Sequence, residues 1–459
     1  MSTYQTARGM RDLLPPEAAA FDALGAVFFA RARRYGYPRL VTPLVEDREV
    51  FLRSAGVTSD TAGKEMYDVV LHGEPGLALR PEGTAPVARA YLQHGLHRVP
   101  QPVRLSYWEP MFRGQRPQKL RFRQFWQWGL ENFGAPEAAA DVEIIEFTAG
   151  LLAEVGLTDV TLKLNTIGGS ASRATVKAAL TAYFTVHRDA LDQDCKDRLE
   201  TNVLRIFDCK NPADREIAKG APRVRDLVSD EDRVHFAEVT DGLERLGVRY
   251  ELDDQLARGF DYYTRTVFEF ILTDPAFTQA GEIAVAAGGR YDGLVRTMGG
   301  PEVPGVGVAG GVDVLYFALV QQGVAVEQRI DADVYILSGD PADGADRTQL
   351  ATPLREAGFS VAVDYSKRSL EKQLESAVKH GARVAVIRGT EESRGGKVIV
   401  RDLVAKQQRV TRLAAVVTEV GRHVPKRPRP RLIDEPGAAG ETPYLVAPVE
   451  APDPREAGS

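Results

Sequence analysis

Apolar residues recur at helical spacing over residues 18–35, and the rhythm then changes: Pro38 interrupts it and residues 40–45 read as an extended run. Two aromatic-rich extended runs, residues 103–113 and 122–133, flank a polar loop, which is the pattern of a long hairpin. Residues 138–155 predict a helix, and residues 160–165 alternate as a half-buried strand. From about residue 168 to 236 the pattern turns helical and densely charged, as in RDALDQDCKDRLETNVLRIF, and reads as an inserted helical module. Extended pattern returns at residues 250–254 and 264–273, and a helix at 312–322 closes this region.

A polar connector at residues 323–330 leads to a different alternation. Short apolar runs at 334–337, 360–363 and 384–387 interleave with helical stretches at 347–357 and 370–380, predicting a small βαβαβ unit. A hairpin at residues 397–403 and a last helix extend it. From Pro425 onward the chain holds 8 of its 27 prolines and few hydrophobics, so this tail is expected to be disordered. Its KRPRPR run, residues 426–431, reads as a solvated basic segment or a contact for RNA phosphate. The expected organisation is therefore residues 1–325 with an insertion at 168–236, residues 331–424, and the tail 425–459.

Composition adds exclusions. With 44% hydrophobic and 27% charged residues the chain is of ordinary globular type, and no run reaches the ~18–20 apolar residues a membrane span needs. The N-terminus lacks the apolar segment of a secretory signal, so a cytoplasmic protein is expected. Two cysteines, Cys195 and Cys209, are too few for a disulfide framework or a multi-cysteine metal site, and no protein-held metal is expected. The net charge of −6 argues against a nonspecific nucleic-acid coat, but residues 331–424 carry 15 Lys and Arg against 13 Asp and Glu. That block is the least acidic and permits a nucleic-acid contact.

Three segments carry chemistry. Gly305-Val-Gly307-Val-Ala-Gly310 matches the dinucleotide fingerprint in letters, yet Gly299-Gly-Pro-Glu-Val-Pro precedes it where a strand of a βαβ unit is required. Glycine packing of a strand against the following helix is the expectation there. The hairpin loop puts Arg113, Arg116, Lys119, Arg121 and Arg123 into eleven residues. On the returning strand Gln127, Gly129 and Glu131 alternate and share a face, and guanidinium forks beside that face suit a triphosphate. Arg80-Pro-Glu-Gly-Thr84 and Arg258-Gly-Phe-Asp-Tyr-Tyr263 add polar groups that a core would not choose; a structural Arg258–Asp261 ion pair is the plainer alternative for the second.

Together the stretches LALRPEGTAPVARAYL, MFRGQRPQKLRFRQF, ARGFDYYTRTVFEF, GGRYDGL and SLEKQLESAVKHGARVAVI resemble the histidyl-tRNA synthetases, which are class II aminoacyl-tRNA synthetases, over residues 8 to 422 or so. The resemblance implies an α+β fold: a six-stranded antiparallel catalytic sheet in residues 1–325 with a helical insertion, a C-terminal α/β anticodon-binding domain, and a homodimer. It implies activation of L-histidine by ATP with Mg²⁺, then transfer of the histidyl group to histidine tRNA. By position Glu82, Thr84 and Gln127 would hold the α-ammonium group, and Glu131, Tyr262 and Tyr263 would read the imidazole. Arg113 would grip the α-phosphate, Arg121 the distal phosphates, and Arg258 would act catalytically across the α-phosphate from Arg113.

Departures fall on the ATP side. Asp313-Val314 stands where the third class motif has an acidic residue followed by Arg, Gln115 where Glu is common, Leu120 where Gly is usual, and Trp126 where His is usual. Arg265, Arg290 and Arg296 are available to compensate for the lost Arg, although Arg290 in GGRYDGL reads better as ordering its Gly turn. The competing expectation is a noncharging histidine sensor resembling the ATP phosphoribosyltransferase regulatory subunit, which shares the catalytic fold but generally lacks the anticodon domain.

Overall fold

The computed structural model describes residues 4–56, 63–116, 120–209, 211–257, 260, 262–278, 282–324, 332–340, 344–389 and 395–426. They fall into two compact units that divide near residue 328.

In the first unit two prolines start helix α1 (Pro15–Arg34), where a missing amide donor costs nothing, and Phe21, Leu24, Phe28 and Ala32 form its buried stripe. Next come β1 (Val45–Asp47), α2 (Arg48–Ala55), β2 (Tyr67–Leu71), β3 (Glu74–Leu79) and α3 (Thr84–Gln93), the three strands forming a small antiparallel sheet. The long hairpin is β4 (Val103–Phe112) and β5 (Gln124–Phe133), registered from Val103 opposite Phe133 to Phe112 opposite Gln124. The chain continues through α4 (Ala138–Glu154) and β6 (Val160–Thr166). The insertion follows with α5 (Arg173–Val186), α6 (Gln193–Thr201), α7 (Pro212–Lys219) and α8 (Asp230–Arg245). The unit closes with β7 (Glu251–Leu252), β8 (Thr264–Leu272), β9 (Ala284–Arg290), β10 (Gly305–Gly311) and α9 (Val312–Gln321).

The main sheet runs β4-β5-β10-β9-β8-β6-β7. Its six long strands are antiparallel, as the resemblance implied, and β7 adds a two-residue parallel edge on β6. The GxGxxG letters lie inside β10, between β5 and β9 and running into α9, so the segment is sheet interior and no phosphate loop. Of residues 40–45, expected as a strand, only Val45 enters one, as the first residue of β1. Ahead of it only a bridge between Arg39 and Ser106 forms, because Pro38 and Pro43 lack the amide donors a ladder needs.

The insertion has its own core of Val176, Leu180, Phe184, Leu191, Leu199, Ile206, Val224 and Val228. Its expected end at residue 236 falls inside α8. That helix is polar in sequence, but its buried Val239 and Leu243 join the core around the main sheet, against α4.

The second unit is built from β11 (Val334–Ser338), α10 (Gly344–Glu356), β12 (Val361–Val363), α11 (Leu370–Lys379), β13 (Val384–Arg388), β14 (Lys397–Asp402), β15 (Gln407–Arg412) and α12 (Val416–Val420). Its sheet order is β12-β11-β13-β14-β15, the first three strands parallel and the last two antiparallel. Near-continuous apolar strands such as Val334–Ser338 and Val384–Arg388 are what a sheet covered on both faces requires. The Pro-rich tail, from residue 427, lies outside the described residues. No described helix is long and apolar enough to cross a membrane.

Candidate active site

Strand β5 supplies the floor. Gln127, Gly129 and Glu131 share one face, and the N-terminus of α3 docks on it. The Gly83 amide donates to Gln127 Oε1 at 3.0 Å, and the Thr84 hydroxyl donates to Glu131 Oε1 at 2.7 Å. The Glu82 carboxylate accepts from the amides of Thr84 (2.7 Å) and Ala85 (2.9 Å), filling donors that the first helical turn leaves free. Burial pushes the Glu82 carboxyl up from its ordinary value, and those amides and the Arg113 charge pull it back.

Rings form the walls. The Tyr107 ring from β4 lies over Gly129, where a Cβ would overlap it. Its phenol reaches Gln127 Oε1 at 3.4 Å. Tyr291, just after β9, donates its hydroxyl to Glu131 Oε2. Tyr262 stacks on Phe260 with centroids 5.2 Å apart, meets Tyr291 edge-on at 5.8 Å, and lies 4.7 Å from the ring of Tyr263. Glu131 is wholly buried among them, and burial raises its carboxyl to about 8 against the pull of the Tyr291 and Thr84 hydrogen bonds. Gly307 of β10 lies opposite, where a Cβ would overlap the Glu131 carboxylate.

All six residues expected to contact histidine, Glu82, Thr84, Gln127, Glu131, Tyr262 and Tyr263, are buried; Thr84 bonds both Glu82 and Glu131, and Gln127 accepts from the Gly83 amide next to them. Tyr107 and Tyr291 were not anticipated. Tyr291 had a signal: so large a ring beside a glycine-rich strand implies that Gly305 and Gly307 exist to clear it, and a Cβ at Gly305 would overlap its ring.

The cations divide. Arg113 donates its Nε to Pro81 O at 2.9 Å and lies 5.2 Å from the Phe125 ring. Its Nη groups make no hydrogen bond among the described residues, and burial lowers its pKa while the charges of Glu65 and Glu82 oppose that. Arg123 turns back to the Gln115 carbonyl at 3.0 Å, whereas Arg116 and Arg121 are exposed. Lys119, Arg258 and Asp261 lie outside the described residues. Arg80, read on the same alternation as Glu82 and Thr84, instead turns into the protein, bonding Thr42, Pro110 O and Glu109.

None of the three proposed substitutes for the missing motif-three Arg is free. Arg265 pairs with Asp232 and Glu231, Arg290 with buried Asp141 and with Asp292, and Arg296 with Glu302. Arg290 also donates to the Ala135 and Glu137 carbonyls, so it holds the connection between β5 and α4, while the glycines of GGRYDGL before it lie in strand β9 and not in the expected turn. Asp313 accepts from Trp126 N at 2.8 Å and from Arg11 at 2.7 Å, while Arg11 lies on the Phe122 ring at 4.6 Å. Val314 packs with the apolar core instead of projecting a charge. Leu120 has φ 65°, a left-handed conformation that explains why glycine is usual there and that costs a branched side chain ~1 kcal/mol or more.

A buried acceptor cluster beside a half-free guanidinium is suited to a small zwitterion and an adjoining phosphate. Comparison with known proteins agrees. A family model described as "Histidyl-tRNA synthetase" matches residues 9–315, and one described as "Anticodon binding domain" matches residues 333–423. The chain is 42% identical to the histidine–tRNA ligase of Rhodospirillum rubrum over 91% of its own length and 98% of that protein's. It is 42% identical to the ligase of Desulforudis audaxviator over 90% and 98%. Among solved structures, apo histidyl-tRNA synthetase of S. aureus superposes with a TM-score of 0.77 at 29% identity, covering 91% of this chain and 99% of that one.

Proposed function

The chain belongs to the histidyl-tRNA synthetase family, and from that premise we infer that it converts L-histidine and ATP into histidyl-adenylate and pyrophosphate, then passes the histidyl group to the 3′ end of histidine tRNA. The observation that carries this reading is that the catalytic and the anticodon-binding domains are both present. A noncharging histidine sensor has no use for the second. The same membership supports a homodimer working in the cytoplasm.

Histidine enters with its ammonium toward Glu82, Thr84 and Gln127 and its imidazole toward Glu131, Tyr262 and Tyr263. Burial makes that choice selective, because a side chain that cannot hydrogen-bond to the polar groups buried there forfeits ~1–3 kcal/mol for the unmade hydrogen bond. The substrate carboxylate is already an anion, so no protein base is needed. One of its oxygens forms a bond to the α-phosphorus as the bond from that phosphorus to the pyrophosphate oxygen breaks. Arg113, together with Arg258, takes up the charge on the phosphoryl oxygens, and Arg121 meets the distal phosphates.

Mg²⁺ would supply charge neutralisation on the outer phosphates. The donors present fit an ion held mainly by phosphate and water. Glu82 is engaged with helix amides and Glu131 with Thr84 and Tyr291, while Glu65, whose charge acts on Arg113, would be available as an oxygen ligand. In the second step a hydroxyl of the terminal ribose attacks the histidyl carbonyl and AMP leaves. Exchange of labelled pyrophosphate into ATP tests the first step: histidine alone should support it, and exchange with another amino acid, or with none, would refute the specificity.

A further inference from the structure

Away from the candidate active site, four donor atoms converge within the insertion. Asp192 caps α6, Cys195 sits in the first turn of that helix, Cys209 follows the short turn Val203–Asp208, and Asp214 lies in the first turn of α7. Their ligand atoms all fall within 4.8 Å of one another. Cys195 and Asp214 are fully buried and Cys209 is 7% exposed.

The polar accounting there is incomplete. Cys209 Sγ donates to Asp214 Oδ2 at 3.3 Å, and the Asp192 amide reaches the same carboxylate at 3.3 and 3.4 Å. No Lys, Arg or His pairs with Asp214 among the described residues, so a wholly buried carboxylate has the two thiols and one long amide contact, and no cation, to offset its desolvation. Asp192, by contrast, is placed by two firm contacts, accepting from Cys195 N at 2.8 Å and Asn211 Nδ2 at 3.2 Å.

We propose that Asp192, Cys195, Cys209 and Asp214 form a binding site for a borderline-soft divalent cation of the zinc type. Two cysteines alone seemed too few for such a site, but two carboxylates complete a four-donor set. Thiolate sulfur and carboxylate oxygen are both zinc ligands, and bonds of ~2.0–2.3 Å place tetrahedral donors roughly 3.3–3.8 Å apart, a small contraction from the arrangement seen. The ion supplies the positive charge that Asp214 lacks and holds both thiols as thiolates. It also ties α6, the intervening turn and α7 together beside the apolar core they share.

The test uses the full-length reduced protein, whose only thiols are Cys195 and Cys209. Cobalt(II) added to metal-free protein should saturate at one ion per chain with a sulfur-to-metal charge-transfer band, and zinc should displace it. Both thiols should resist a thiol reagent in zinc and react after chelation. Cys195→Ser and Cys209→Ser should each weaken the band, and Asp214→Asn should lower zinc affinity at least tenfold. If a variant fails to fold, the cobalt and thiol readings on the unaltered chain still decide. Absence of the band with equal thiol reactivity in zinc and in chelator would overturn the proposal. So would a Cys195–Cys209 disulfide in protein that retains no metal.

Discussion

Replacing Glu131 with Gln separates what the residue costs the fold from what it gives the reaction. In the folded protein its carboxyl titrates at about 8 against an ordinary 4.5, because burial penalises the anion more than Thr84 and Tyr291 favour it. Between those two values the folded state holds more protons at this site than the unfolded chain does. Stability therefore falls as pH rises from about 4.5 to about 8, and is flat with respect to this group outside that window. A shift of 3.5 units corresponds to a cost on the order of 4–5 kcal/mol by pH 8. An amide has no such term, and Thr84 and Tyr291 can rotate their hydroxyls to meet it. Urea unfolding followed by tryptophan fluorescence reports on this region, since the chain's three tryptophans, Trp108, Trp126 and Trp128, all lie on the β4–β5 hairpin. Glu131→Gln should match the unaltered protein near pH 5 and exceed it by a margin that grows to several kcal/mol at pH 8. Its histidine-dependent pyrophosphate exchange should drop ~5- to 150-fold in kcat/KM, the ~1–3 kcal/mol of a buried hydrogen bond left unmade. Parallel unfolding midpoints for the two proteins from pH 5 to 8 would refute the reasoning.

Three further outcomes follow from the same structure. Arg258→Ala should abolish adenylate formation while leaving histidine affinity, measured by calorimetry, within about tenfold, since the charge it meets develops in the transition state. Gly307→Ala forces a methyl into the Glu131 carboxylate; it should cost ~1–3 kcal/mol of stability in denaturant titration and raise the KM for histidine more than that for ATP. Arg290→Met takes the arginine from fully buried Asp141, leaving it His235 at 3.5 Å, and should lower unfolding free energy by ~3–5 kcal/mol.

What the sequence made legible follows from which interactions are local. The hairpin, α1, α4 and the βαβαβ unit carry their periodicity in consecutive residues, so their boundaries fall within a few positions of expectation. The face shared by Gln127, Gly129 and Glu131 follows from the two-residue period of a strand. Residues 40–45 misread because apolar alternation ignores Pro43, whose missing amide donor keeps the run from extending the bridge it makes beside β4. The end of the insertion misread because α8 shows mostly charge, and its buried stripe is recognisable only once α4 lies against it. The engagement of Arg11 with Asp313 joins residues 302 positions apart, and Tyr291 reaches Glu131 across 160; no local pattern announces either. Leu120 shows the converse, a departure from the family pattern noticed in sequence whose cost becomes explicit as a left-handed backbone.

The central claim is that this chain charges tRNA despite Val314 in place of the motif-three arginine. Steady-state attachment of labelled histidine to a histidine tRNA transcript, with a second tRNA and histidine-free reactions as controls, tests it most directly. Histidine- and ATP-dependent charging of the histidine transcript alone is the expected result. Histidine binding by calorimetry with neither exchange nor charging would contradict the account and identify the chain as a sensor built on a synthetase body.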